Sequence, residues 1–336
     1  MAIGTVFLTG ATGYIGGHTA RALLARGYDV IAYCRSVERA EPLIALGCKA
    51  AFGDLSNEDA LYRGMASADT AVHAAAAVEM GLVDPKAMWE TNVVGTLNVL
   101  KAAGAQGLDR IVVVSSVDHF GGTHGRWIDE TFRHKARFAT VYEFTKHHAT
   151  LAAFKMQRDD GLPLSVVYPG RSIGADDPNF GPLWDLYARR RLFALVGART
   201  FASYAAVEDV AEGIVLALER GRAGEGYMLC ESSRRLADVF KTAERLTGIP
   251  APRIHIPDGV AKGAARAVQW LFRNTNWIPP VKGGQPPLSV ELARGAIELN
   301  ARHSGDKARA ELGWSPRPFD EVLAGMLPWY IARARS

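Results

Sequence analysis

Tyr142 and Lys146 stand four residues apart in Tyr142-Glu143-Phe144-Thr145-Lys146. On a helix they share one face, one turn apart. A free phenol has a pKa near ~10, too high for a base at neutral pH. A neighbouring ammonium favours the phenolate and lowers that value, so the pair can pass a proton to or from a substrate oxygen. The pair alone is unspecific, because Tyr and Lys four apart occur by chance in many helices. Ser115-Ser116 closes a strand pattern and offers a hydroxyl to polarise a carbonyl; alternatively it is a plain strand-end turn. Asn92 opens Asn92-Val93-Val94-Gly95-Thr96 in a helical stretch and, on its own, reads as a buried amide with its hydrogen bonds satisfied.

A second constellation binds rather than reacts. Gly10-Ala11-Thr12-Gly13-Tyr14-Ile15-Gly16 lies between a strand pattern and a helix pattern. Glycines at that spacing allow a tight turn, close backbone approach to a pyrophosphate and close helix–strand packing, while the helix N-terminus supplies free N–H groups. In this strand–turn–helix context the turn predicts a bound dinucleotide. An NAD site places Asp or Glu at the end of the second strand to hold the ribose 2′-OH. Here the stretch reads Tyr33-Cys34-Arg35-Ser36, with no acid between Val30 and Val37. Arg35 suits a 2′-phosphate, so NADP(H) is expected over NAD(H); the alternative is a solvated surface arginine. Gly53-Asp54-Leu55 is placed to meet the adenine, or forms a simple turn.

The elements that must position these residues alternate along the first half of the chain. Strands are expected at Ile3–Thr9, Asp29–Tyr33, Lys49–Phe52, Thr70–His73, Ile111–Val114 and Leu164–Tyr168, and helices after Gly13, at 85–105 and at 141–158. Ser56 is expected to cap a short helix, with Asp59 three residues on. Strands that are apolar throughout, separated by helices, predict an α/β fold with a doubly wound parallel sheet covered on both faces. After Pro169 the pattern loosens into helices near 180–192, 209–220, 234–247, 258–273 and 304–311 and short strands near 226–230 and 252–256. The expected division is a dinucleotide domain over 1–175 and a smaller substrate lobe over 176–336, some segments of which return to the first domain.

Several motifs occur together in order: Gly10-x-x-Gly13-x-x-Gly16, Asp54-Leu55, His73-Ala74-Ala75-Ala76, Asn92-x-x-Gly95-Thr96, Ser115-Ser116, Tyr142-x-x-x-Lys146 and Tyr168-Pro169-Gly170. The chain thereby resembles the extended short-chain dehydrogenase/reductase family, which includes NAD-dependent epimerases and dehydratases. Looser matches follow at Val207-Glu208-Asp209-Val210-Ala211 and Asp306-Lys307-Ala308-Arg309-x-Glu311-Leu312-Gly313-Trp314. The resemblance implies Tyr142 as general acid/base, Lys146 on the nicotinamide ribose and lowering the Tyr142 pKa, Ser116 orienting the carbonyl, and Asn92 supporting the site. Ser116 is preferred over Ser115 because Phe120-Gly121 matches the family's aromatic–Gly pair. It further implies that Gly10, Thr12, Gly13, Tyr14, Ile15, Gly16, Arg35, Asp54, Leu55, Ala74, Ala75, Ala76, Pro169, Gly170 and Ser172 join Tyr142 and Lys146 around the cofactor.

Departures from the pattern indicate a branch. Nucleotide-sugar members carry an Arg where this chain has Ala202 and an acid where it has Cys34; dehydratases carry an Asp-Glu pair where it has Val117-Asp118. The chain looks more like the dihydroflavonol-reductase-like and 3β-hydroxysteroid-dehydrogenase-like branch. That implies an NADP(H)-dependent oxidoreductase for a small apolar, aromatic or steroid-like carbonyl or alcohol. An epimerase or dehydratase that retains NAD, and a dinucleotide-sensing protein without chemistry, are the rival readings. His119, His124, Trp184, Tyr187, Phe193 and Tyr204 are candidate pocket walls.

Composition bounds the rest. The 336 residues carry 39 Lys+Arg against 35 Asp+Glu, a net +4 that is too small to imply nucleic acid. Cys34, Cys48 and Cys230 are scattered, which suits reduced thiols in the cytoplasm. No spanning segment, no signal peptide and no metal site are expected; Asp118, His119 and His124 lack the spacing for one. A homodimer through the helices at 85–105 and 141–158 is expected from the resemblance. The stretch Ala261–Phe272, with Lys262, Arg266, Trp270, Leu271 and Phe272, is read as plain amphipathic packing rather than a membrane contact or a pocket cover.

Overall fold

Short β-rich runs with alternating side chains form the centre of the structure, a computed structural model describing residues 4–79, 81–135, 137–281 and 284–335. Ile3, the expected start of the first strand, lies outside the described residues. The strands are β1 (Thr5–Thr9), β2 (Asp29–Cys34), β3 (Lys49–Phe52), β4 (Thr70–His73), β5 (Arg110–Val114), β6 (Leu164–Pro169) and β7 (Gly226–Leu229). All pair in parallel, in the order β3-β2-β1-β4-β5-β6-β7, with Val6 opposite Val30 and Thr70. Alternation sends Val6, Leu8, Val30 and Val112 to one face and Phe7, Ile31, Ala71 and Ile111 to the other.

Helices Tyr14–Ala25 and Val207–Arg220 cover the first face; helices Glu58–Met65, Gly95–Gln106 and Val141–Asp160 cover the second. Each fully buried Val or Leu of these layers is worth about 1.5–3 kcal/mol. The strand order turns back on either side of β1 and β4, which opens a crevice at the carboxyl ends.

The helix expected over 85–105 starts at Pro85, where Asp84 caps Lys86 N and Ala87 N at 2.9 and 3.2 Å. It widens into a π turn at Glu90–Val94 and continues as Gly95–Gln106. The Ser56 cap is corrected. Asn57 caps helix Glu58–Met65, its Oδ1 accepting from Ala60 N at 3.0 Å, whereas Ser56 donates its hydroxyl to Asp54. Asx side chains compete well for a cap, and here the residue nearer the helix wins.

Beyond Ser172 a third core gathers Trp184, Tyr187, Tyr204, Phe240, Phe319 and Leu323. Trp184, Tyr187 and Tyr204 are therefore core rather than pocket walls; large aromatics bury the most area and settle inside. Residues 207–229 return to the sheet as helix Val207–Arg220 and strand β7.

Candidate active site

The carboxyl ends of the strands bring the binding constellation together. Residues 10–16 follow β1, Arg35 follows β2, Asp54 and Leu55 follow β3, residues 74–76 follow β4 and residues 170–172 follow β6. Gly10 has φ +74°, and a Cβ there would lie 2.5 Å from Ala75 N. A Cβ at Gly16 would strike the Gly10 carbonyl. Gly13 caps helix Tyr14–Ala25 without a side-chain bond, and the first helical turn contains no acid. Its leading N–H groups thus keep their affinity for an anion. This glycine cradle and uncapped helix end fit a dinucleotide pyrophosphate.

Tyr14 ties the turn to the far side of the crevice, its hydroxyl donating to Ala175 O at 3.2 Å. Cys34 is buried and Arg35 exposed at the end of β2. The Asp54 carboxyl is held below its ordinary range first by the Ser56 N–H, at 3.0 Å, and also by the Arg35 guanidinium.

The reacting residues stand on helix Val141–Asp160, whose start is fixed by a capping box. Thr140 Oγ1 accepts from Glu143 N at 3.0 Å, and Glu143 Oε2 accepts from Thr140 N at 3.3 Å. That fixes Tyr142 in the first turn with Lys146 one turn on. The Lys146 ammonium donates to Val114 O at 2.8 Å. The two serines part company. Ser115 Oγ pairs with Thr150 Oγ1 at 2.6 Å inside the helix packing, whereas Ser116 lies on the Tyr142 side and favours its phenolate. Ser116 Oγ also accepts from Asp118 N at 3.1 Å.

Asn92 is a clamp. Its Oδ1 accepts from Ala77 N at 2.7 Å, and its Nδ2 donates to Ala77 O and to Thr145 Oγ1, both at 3.0 Å. The amide thus joins the loop after β4 to the Tyr–Lys helix. Behind it, His73 bridges Thr9 and Thr96 at 2.8 and 2.9 Å, and burial pushes its imidazole down to about 3, so it is neutral near pH 7.

Electrostatics correct one expectation. Burial pushes the Tyr142 phenol up, the Asp118 carboxylate adds to this, and the Ser116 hydroxyl works against it. Lys146 is itself pushed down to about 8 by burial. Its charge is directed at the Val114 carbonyl, so the lowering of Tyr142 expected from the four-residue spacing is not what the surroundings produce.

Two polar residues beside the site carried little sequence signal. Partly buried Asp118, two residues after Ser116, is pushed up to about 6 by burial, with Arg171 acting in the opposite direction. Arg171 follows Gly170, lies 5.5 Å from the Phe180 ring and also favours the charged forms of Asp177 and Tyr204. The electrostatic influence of Arg171 on Asp118 acts between two strand ends, so only the fold reveals it. His119 is buried and stacked on His147 and Tyr168, while Phe193 and His124 are exposed. Among the described residues no three His, Cys, Asp or Glu side chains are grouped to hold a metal ion.

Comparison with known proteins agrees with this geometry. The model of the NAD dependent epimerase/dehydratase family matches residues 6–230. The chain is 34% identical over 314 residues to 4-hydroxy-2-methyl-3-oxo-4-farnesyl-3,4-dihydroquinoline-1-oxide ketoreductase of Stigmatella aurantiaca, covering 93% of this chain and 92% of that one. It is 27% identical to the 3 beta-hydroxysteroid dehydrogenase/Delta 5-->4-isomerase of Mycobacterium tuberculosis (strain CDC 1551 / Oshkosh), covering 98% and 91%. The solved structure of gox2253 superposes with a TM-score of 0.83 at 29% identity, covering 98% of this chain and 99% of that one.

Proposed function

The chain belongs to the NAD-dependent epimerase/dehydratase family, and from that premise we propose that it reduces a ketone or aldehyde to an alcohol with NADPH. The observation that carries this reading is the burial together of Ser116, Tyr142 and Lys146, with Lys146 one helical turn from Tyr142 and Ser116 favouring the Tyr142 phenolate. When bound, the nicotinamide supplies the hydride. The chain's own groups then manage the oxygen. Ser116 donates to the carbonyl oxygen and orients it, and Tyr142 delivers the proton that completes the alcohol. A phenol pushed up by burial holds its proton at neutral pH, which favours the reducing direction.

In this reading the turn at residues 10–16 holds the pyrophosphate and Arg35 the 2′-phosphate. Asp54 and Leu55 meet the adenine. Residues 74–76 and 169–172 line the nicotinamide side, where Lys146 holds the ribose. Residues 1–175 bind the cofactor and residues 176–336 close over the substrate, apart from those that rejoin the sheet. We place the reaction in the cytoplasm, since Cys34, Cys48 and Cys230 are buried free thiols.

The substrate is a small apolar, aromatic or steroid-like carbonyl compound. The printed activities of the two relatives, a ketoreductase and a hydroxysteroid dehydrogenase, support that class. Ala202 sits in the lobe core where a nucleotide-sugar enzyme carries Arg, which argues against a sugar diphosphate. A dinucleotide sensor has no use for a proton donor.

A panel of ketones and aldehydes, followed by loss of NADPH absorbance, tests the proposal. Mass spectrometry of the cofactor released from the purified protein accompanies it. Turnover of an apolar ketone with NADPH, and no NAD retained, is expected. Retained NAD with no turnover of any carbonyl would overturn the reading in favour of an epimerase.

A further inference from the structure

Helix Asp258–Asn274 is packed along one stripe only. Ala261 and Ala265 are buried, Gln269 Oε1 accepts from Val290 N at 2.9 Å, and Lys262 pairs with Glu298 at 2.7 Å. The Gln269 and Lys262 contacts both reach helix Val290–Glu298. The opposite face presents Val260, Gly263, Ala267 and Trp270 at helical spacing, all exposed. Trp270 is 62% exposed and Trp277, just past the helix, 80%. Amphipathic packing, the expectation for this stretch, thus accounts for the inner face and leaves the outer one uncovered.

Charge borders the outer face. Arg266 and Arg273 lie four residues before and three after Trp270, and Arg253 precedes the helix. Among the described residues none of the three pairs with a carboxylate. From residue 250 to residue 281 the sequence has four Lys or Arg and one acid, Asp258, so most of the chain's +4 excess lies here.

We propose that this face docks on an anionic lipid bilayer, lying in the plane of the interface. A helix with Trp on one side and unpaired arginines along its border matches interfacial binding, and the sign of its charge matches the lipid. A second copy fits worse, since a twofold contact through this face would set like charges against each other. No described helix is long and apolar enough to cross a membrane, so the contact is peripheral. The docked helix stands one layer from the chemistry, because Glu291 Oε1 accepts from Val141 N, next to Tyr142, at 2.5 Å. Entry of a bilayer-dissolved substrate by this route rests on the function proposed above; the docking itself does not.

Co-sedimentation with vesicles of equal parts phosphatidylglycerol and phosphatidylcholine tests the proposal without any turnover, so its failure is distinct from failure of the enzymatic reading. The full chain should bind these vesicles and not pure phosphatidylcholine. Each basic side chain near an anionic surface is worth about fivefold, so Arg266→Ala/Arg273→Ala should weaken binding roughly 25-fold. Trp270→Ala should also weaken it. All three positions are exposed, and circular dichroism checks that the variants fold. No binding by the full chain, or binding unchanged in the variants, would overturn the proposal. So would a drop in molecular mass on Trp270→Ala, which would make the face a contact between copies.

Discussion

At the scale of single residues the site divides into groups that hold a proton and groups that hold a charge. Arg35 belongs to the second kind. A charge-assisted bond to a phosphate is worth ~1.5–3 kcal/mol, or roughly one to two orders of magnitude in affinity. Wild type should show the higher kcat/KM with NADPH, and Arg35→Ala should close that gap by weakening NADPH and sparing NADH. Steady-state kinetics with both cofactors checks this, and an NADH-preferring wild type contradicts it.

Lys146 contributes a pH dependence. Burial lowers it to about 8, against an ordinary 10.5, so its ammonium is lost as pH rises through about 8. If that ammonium holds the ribose, NADPH binding should weaken above this value, and Lys146→Met should bind weakly with no such decline. Fluorescence titration across that range reads both. Tyr142, Lys146 and Ser116 were legible because each lies in a local motif. Asp118 and Arg171 were not, since 53 positions separate them in the sequence and only the sheet brings them together.

At the scale of elements, helix Val141–Asp160 has to start in one register for Tyr142 to meet Ser116. Its capping box uses Glu143, a buried residue whose Oε1 lies 2.8 Å from His134 Nε2. Burial pushes the Glu143 carboxyl up to about 7 and the His134 imidazole down, so both groups shift toward their neutral forms. Between the ordinary carboxylate range and about 7 the folded chain keeps a proton that the unfolded chain releases. This contribution to stability is therefore full at acid pH and declines as pH rises through about 7. Thermal melts should show a decline over that window in wild type and a flatter profile in Glu143→Gln; equal slopes would contradict the assignment.

Periodicity and turn signals predicted the sheet strands and the major helices of the first half. Helices Val37–Ala45 and Phe319–Arg335 gave a weaker signal because each contains an internal proline, Pro42 and Pro328, which reads as a breaker. Helix Val290–Glu298 has only nine residues and follows a proline-rich stretch.

At the scale of the whole molecule, assembly follows from which helix faces stay open. Helix Val141–Asp160 buries Tyr142, Lys146 and Ala149 against the sheet side, while Leu151 on it is 47% exposed. We expect a homodimer through this helix and the one at 85–106. Light scattering should give a mass near twice 36.3 kDa, and Leu151→Glu should return it to the single-chain value. A single-chain mass for wild type at micromolar concentration would contradict this.

The proposed division between cofactor and substrate is marked unevenly in the sequence. The half read as dinucleotide-binding carries glycine spacing and strand–helix alternation. The lobe is marked less clearly, because the aromatics that suggested a pocket, Trp184, Tyr187 and Tyr204, serve its core.

Whether Tyr142 delivers the proton is decided by Tyr142→Phe. The ring stays and only the hydroxyl goes, so folding and NADPH binding should survive, as circular dichroism and fluorescence titration would show. General acid catalysis supplies ~10²–10⁴-fold in rate, so kcat on the best carbonyl substrate should fall at least ~100-fold. A folded, NADPH-binding Tyr142→Phe that kept more than about a tenth of wild-type kcat would mean that another group delivers the proton.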